Sequence, residues 1–143
     1  MTCTFFGHRD CPETIQHTLY SALEALIQER GVRQFYLGRE GRFDSYAFCA
    51  LKALRARYPD IVCTRVLAYL PEGKREGAEE SVYPEGMENV PPRYAIDRRN
   101  RWMLERADMV VCYVQHSFGG AARYVRLATK QGKEVINLCQ QGR

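Results

Sequence analysis

The feature that most constrains this chain is an alternation. Five short, strand-like runs, Cys3–Phe6, Gln34–Leu37, Ile61–Leu70, Met109–Val114 and Glu134–Leu138, are separated by stretches whose apolar residues recur at helical spacing. Met109-Val110-Val111-Cys112-Tyr113-Val114 is apolar nearly throughout. That suits a central parallel strand covered on both faces better than a strand with one wet face. Between the runs, Ile15, Leu19, Leu23, Leu26 and Ile27 mark one helical face, which opens near Pro12 or Glu13 and is closed by Gly31. Phe43 to Tyr58 repeats the pattern through Ala47, Leu51 and Leu54, and Pro59 ends it. Arg93 to Ala107 places Ile96, Met103 and Ala107 on one face, and Gly119 to Gln131 is a last helix closed by Gly132. Such alternation predicts an α/β fold: a Rossmann-like, doubly wound parallel sheet of about five strands, with 3-2-1-4-5 as the simplest order.

The chain has 143 residues, 45% of them hydrophobic, enough for the core of one domain, and no low-complexity tract divides it. Charged residues make up 27%, which argues against disorder. The formal net charge of +4 suits an anionic partner, but a small excess of Lys and Arg is also common on solvated surfaces. No apolar run reaches the roughly 18 residues of a membrane span. Met1 to Phe6 carry no basic segment followed by a long apolar one, so the expected location is cytoplasmic, without a membrane partner. The six cysteines (Cys3, Cys11, Cys49, Cys63, Cys112 and Cys139) include no Cys-x-x-Cys pair. They read as small hydrophobes with reduced thiols. His8, His17 and His116 are too scattered for a metal site, and no motif implies a cofactor. The connection from Glu72 to Pro92 is long, charged and interrupted by Pro and Gly, which predicts a lid over residues 72–91.

In a doubly wound sheet the ligand lies beyond the carboxyl ends of the strands, where the order reverses. The loops after the first and fourth runs meet there. The first is Gly7-His8-Arg9-Asp10. Its glycine lets backbone approach a ligand, and Arg9 can clasp a phosphate as a fork or pair with a carboxylate. The second is His116-Ser117-Phe118-Gly119-Gly120-Ala121-Ala122. Paired glycines before a helix expose backbone N–H groups to an anion, though they also serve a tight turn. Ser117 caps the helix or bonds the ligand. Gly38, Gly41, Phe43 and Asp44 come to the same edge from the second run, where Asp44 either accepts from a ribose hydroxyl or caps its helix. Arg99, four residues before Met103, shares its face, with Asn100 beside it. Neither a P-loop nor a Gly-x-Gly-x-x-Gly fingerprint is present.

Gly7-His8-Arg9, Gly38-x-x-Gly41-x-Phe43-Asp44, Arg99-Asn100 with Met103, and Ser117-x-Gly119-Gly120-Ala121 occur in this order over nearly the whole chain. As a set they resemble the SLOG superfamily, above all its YpsA-like branch of small single-domain bacterial proteins. That superfamily includes the lonely-guy phosphoribohydrolases and the DNA-processing protein DprA. The resemblance implies a Rossmannoid fold, a nucleotide-derived ligand and a homodimer. The hydrolases use an Arg four residues before a Met and a Glu just after a Gly-rich loop. Arg99 with Met103 matches the first element. Ala121-Ala122-Arg123-Tyr124 supply no Glu for the second, and the hydrolases' Pro-Gly-Gly-x-Gly-Thr is reduced to Ser117-Phe118-Gly119-Gly120.

Three functions follow as expectations. The first is a sensor that binds a nucleotide or nucleotide-derived phosphate ligand. The second is an N-glycosidase acting on nucleoside monophosphates, with Arg99, Glu13 and Asp44 as catalytic candidates. The third and least favoured is a single-stranded nucleic-acid binder, since no basic stripe is interleaved with aromatics.

Overall fold

The computed structural model describes residues 1–39, 41–70 and 80–139. Among them a parallel sheet is built from β1 (Thr2–Gly7), β2 (Gln34–Leu37), β3 (Val62–Val66), β4 (Glu80–Val82), β5 (Met109–Tyr113) and β6 (Glu134–Asn137). The order is β4-β3-β2-β1-β5-β6. Helices α1 (Ile15–Arg30), α2 (Gly41–Arg57), α3 (Ala95–Arg106) and α4 (Gly120–Lys130) join the strands. The Rossmann-like α/β class and the doubly wound order hold, but the sheet has six strands rather than five.

The added strand is β4. Its sequence, Glu80-Ser81-Val82, holds one apolar residue, and Glu80 is exposed. An edge strand this short is held by its ladder to β3, not by burial, so it leaves no apolar period to read. The third run also ends sooner than expected, at Val66 rather than Leu70. Beyond it the Leu67 N–H still donates to the Val82 carbonyl at 2.8 Å. From Glu80 on, the long connection is ordered. Two short 3-10 turns, Met87–Asn89 and Pro92–Tyr94, follow β4. Met87 packs with Ala68 and Ala95, and Tyr83, Val90 and Ile96 lie against that cluster. The second part of the expected lid over residues 72–91 is therefore packed onto the sheet edge, and its first part lies outside the described residues.

Alternation along β1 and β5 divides the core between the faces of the sheet. Cys3 and Phe5, with Met109 and Val111, join the apolar faces of α1 and α2. Phe6, Val110 and Cys112 point the other way, toward Met103 and Leu104 of α3 and Tyr124 and Ala128 of α4. The Phe5 ring lies 6.2 Å from Phe35 and 6.3 Å from Phe43. Thr4 is a buried polar residue inside β1, and its hydroxyl donates to the Tyr36 carbonyl at 2.9 Å. Helix α1 begins at Ile15, three residues after Pro12, and ends at Gly31 in the left-handed conformation. Among the described residues no helix is long and apolar enough to cross a membrane.

Candidate functional site

Two loops leave the carboxyl ends of β1 and β5 toward opposite faces, and a cleft opens between them. Its volume is about 350 Å³, and Phe5, Phe6 and Met103 give it an apolar base. Gly7, His8 and Arg9 enter from the first loop and Asp44 from the first turn of α2. Ile96, Arg99 and Asn100 line it from α3, and Gly120, Ala121 and Tyr124 from α4. Small-ligand sites commonly span about 300–1,000 Å³, so the cleft suits a small guest.

Seven residues expected from the sequence thus meet: Gly7, His8, Arg9, Asp44, Arg99, Asn100 and Gly120. Gly38, Gly41, Phe43, Ser117, Gly119 and Glu13 are not part of the lining. Glu13 is exposed beside the start of α1. Ser117 is exposed as well, and its carbonyl accepts from Arg126. Phe43 is 1% exposed.

The glycines fall into two kinds. A Cβ at Gly7 would lie 2.4 Å from the Phe43 ring, and one at Gly38 would lie 2.6 Å from Arg99 Nη1. One at Gly41 would lie 2.9 Å from Arg9 Cα. These three make room for the protein's own residues. Gly7 is also part of the lining, while Gly38 and Gly41 shape the cleft from behind. Gly119 and Gly120 differ, because a Cβ at either would meet nothing within 4 Å. Gly119 adopts φ 96° and ψ 174°, a region that is essentially glycine's alone, and this turn launches α4. The first N–H groups of a helix have no partner within it, so the start of α4 offers donors to the cleft.

Arg99 is held rigidly. It is 2% exposed; Nη1 donates to the Val66 carbonyl at 3.0 Å and Nε to Asn100 Oδ1 at 2.7 Å. Arg9 is exposed, and its carbonyl accepts from the Arg42 N–H at 3.1 Å. Asp44 is a carboxylate of the lining, 9% exposed.

His8 is fixed by its neighbour across the switch point. Its Nε2 accepts from the Gln115 N–H at 2.9 Å, which leaves the proton on Nδ1. Burial, helped by His116, pushes its pKa below the ordinary imidazole value, with Asp10 opposing. His8 is therefore neutral near pH 7.

Beyond the apolar residues of the lining, Tyr124 is the polar side chain that the expected site residues do not include. It lies one turn after Gly120, which is the helical spacing that could have revealed it. Its hydroxyl donates to Asp97. Burial and that bond push its pKa up to about 12, so the phenol stays protonated. Burial acts upward on Asp97, but hydrogen bonds from Tyr124 and Arg101 and the charges of Arg101 and Arg123 hold it below the usual range. The thiols offer little chemistry. Five of the six cysteines are buried and only Cys49 is exposed. Burial pushes Cys11 to about 11 and Cys112 to about 12, so neither is a thiolate at neutral pH.

Comparison with protein families and with curated proteins gave no match. Fold and site define a class by themselves: a Rossmann-like α/β domain with a half-polar cleft at its topological switch point.

Proposed function

We propose that this domain binds a nucleotide or nucleotide-derived phosphate ligand in the cleft and acts as a cytoplasmic sensor. The observation that carries the reading is the open start of α4, where Gly120 and Ala121 line the cleft beside Arg9 and Arg99. Backbone donors and guanidinium groups are the recurring means of holding a phosphate. Assignment to the SLOG superfamily rests on the whole set of motifs from Gly7-His8-Arg9 to Ser117-x-Gly119-Gly120-Ala121, and with it goes a homodimer, which sedimentation of the purified chain tests. Thermal-shift titration with a panel of nucleoside monophosphates tests the function. A concentration-dependent rise in melting temperature is expected, because binding to the folded state stabilises it. No rise with any member of the panel would refute the reading.

One observation favours a second reading. Asp44 brings a carboxylate into the lining. In an N-glycosidase such a group would steady the positive charge that develops on the ribose as the base departs. Release of free base on incubation with a nucleoside monophosphate, lost in Asp44→Asn, would mark the enzyme. Intact nucleotide beside a clear thermal shift would mark the sensor. Binding to a single-stranded oligonucleotide that is tighter than to any mononucleotide, and that weakens as salt rises, would favour the nucleic-acid reading instead.

A further inference from the structure

Phe118 is the most exposed large apolar side chain among the described residues, at 69%. The ring is not loose. It stacks on His116 with centroids 4.9 Å apart and planes within 15°. His116 in turn lies 5.2 Å from His8, and His8 lines the cleft. The Gln115 N–H binds His8 Nε2 at one end of the loop, and Arg126 donates to the Ser117 carbonyl at the other. The loop is thus clamped from β1 and from α4, with three aromatic rings stepping outward from the cleft. Phe118 is followed directly by Gly119 and Gly120, so the outermost ring stands next in sequence to the donors at the start of α4.

We infer that the Phe118–His116 stack is a seat for an aromatic base, which makes the ligand of this cleft a nucleoside monophosphate rather than a bare sugar phosphate. The inference rests on the phosphate reading above and adds the part of the ligand that the phosphate site does not read. The phosphate lies against the start of α4, and the base extends outward to cover the exposed face of Phe118. A ring face recognises any base by stacking, so the seat selects for the presence of a base more than for its identity.

Titration calorimetry with adenosine 5′-monophosphate and with ribose 5-phosphate tests this, because the two probes share sugar and phosphate and differ in the base. Phe118→Ala is expected to weaken the nucleotide by between about fivefold and about 150-fold, the range found when a stacking ring is removed. Ribose 5-phosphate should bind this variant as it binds the wild type. Phe118→Trp should keep the nucleotide affinity and lose indole fluorescence as the base covers the ring, with the wild type, whose one tryptophan is Trp102, as the control. Equal weakening of both probes by Phe118→Ala, or weakening of neither, overturns the seat. So does a wild type that holds ribose 5-phosphate as tightly as the nucleotide, although the phosphate site then stands. A wild type that binds neither probe removes the phosphate reading, and the seat with it.

Discussion

Replacing Gly38 by alanine tests whether Arg99 is fixed as tightly as its contacts imply. The new Cβ would stand 2.6 Å from Nη1 and 2.8 Å from Cζ. Ordinary contact begins near 3.4 Å, so the guanidinium must retreat by roughly 0.8 Å. A long side chain usually yields to such pressure, but this one is 2% exposed and its Nη1 is bound to the Val66 carbonyl at 3.0 Å. Retreat stretches that bond beyond useful length, and a lost hydrogen bond from a charged, buried group costs about 1.5–3 kcal/mol. Gly38 has no positive φ. Backbone strain therefore adds nothing, and the alanine itself should return about 0.4–1 kcal/mol through the unfolded chain. The net expectation is a loss of about 1–2 kcal/mol, or about 3–8 °C in melting temperature for a domain of this size. Urea unfolding of Gly38→Ala, Arg99→Ala and the double variant measures it as a cycle. With the guanidinium gone, the Gly38→Ala penalty should vanish or reverse. The same penalty in both backgrounds would show that the crowding lies elsewhere.

Three further outcomes are expected. Gly120→Ala should leave stability unchanged or raise it by up to about 1 kcal/mol, since its Cβ meets open space at a helix start; calorimetry should nonetheless show weaker phosphate binding, and unaltered affinity would count against the open start of α4 as the anion site. His8 has its native pKa lowered from 6.5. The unfolded chain therefore takes up its proton first, and the stabilisation is complete above that value and lost as pH falls through it. Urea midpoints compared between about pH 7.5 and about pH 5.5 should fall more for the wild type than for His8→Gln, with parallel lines refuting the point. A thiol reagent should modify Cys49 alone in the native protein and all six cysteines in denaturant; rapid reaction of a second thiol without denaturant would contradict the burial.

The elements that were legible in the sequence are those whose burial leaves an apolar pattern, periodic where one side is covered and unbroken where both are. Leu19, Leu23, Leu26 and Ile27 betray α1, and the unbroken apolar run of β5 marks a strand covered on both faces. β4 was illegible because pairing to one neighbour holds it, and hydrogen bonds between backbones leave no residue code. The same division runs through the site. Arg99 could be placed by its spacing from Met103, and the two loops by the rule of the switch point. The close packing at Gly7, Gly38 and Gly41 was not legible, because what fills the space above a glycine comes from residues distant in sequence: Phe43, Arg99 and Arg9. Tyr124 is marked only by its helical spacing from Gly120, since its bond to Asp97 joins α4 to α3 across residues distant in sequence.

The ring of Phe43 resting on Gly7 has a consequence for how such a sequence can change. A side chain at position 7 needs a smaller one at position 43, and a smaller one at 43 opens a void beside Phe5 before anything fills it. Either order passes through a weakened intermediate, so drift by single substitutions stalls at this pair. Gly120 has no such tether. In a library of random variants selected only for solubility, positions 7 and 43 should stay as they are or move together, while position 120 diversifies freely until a guest is required.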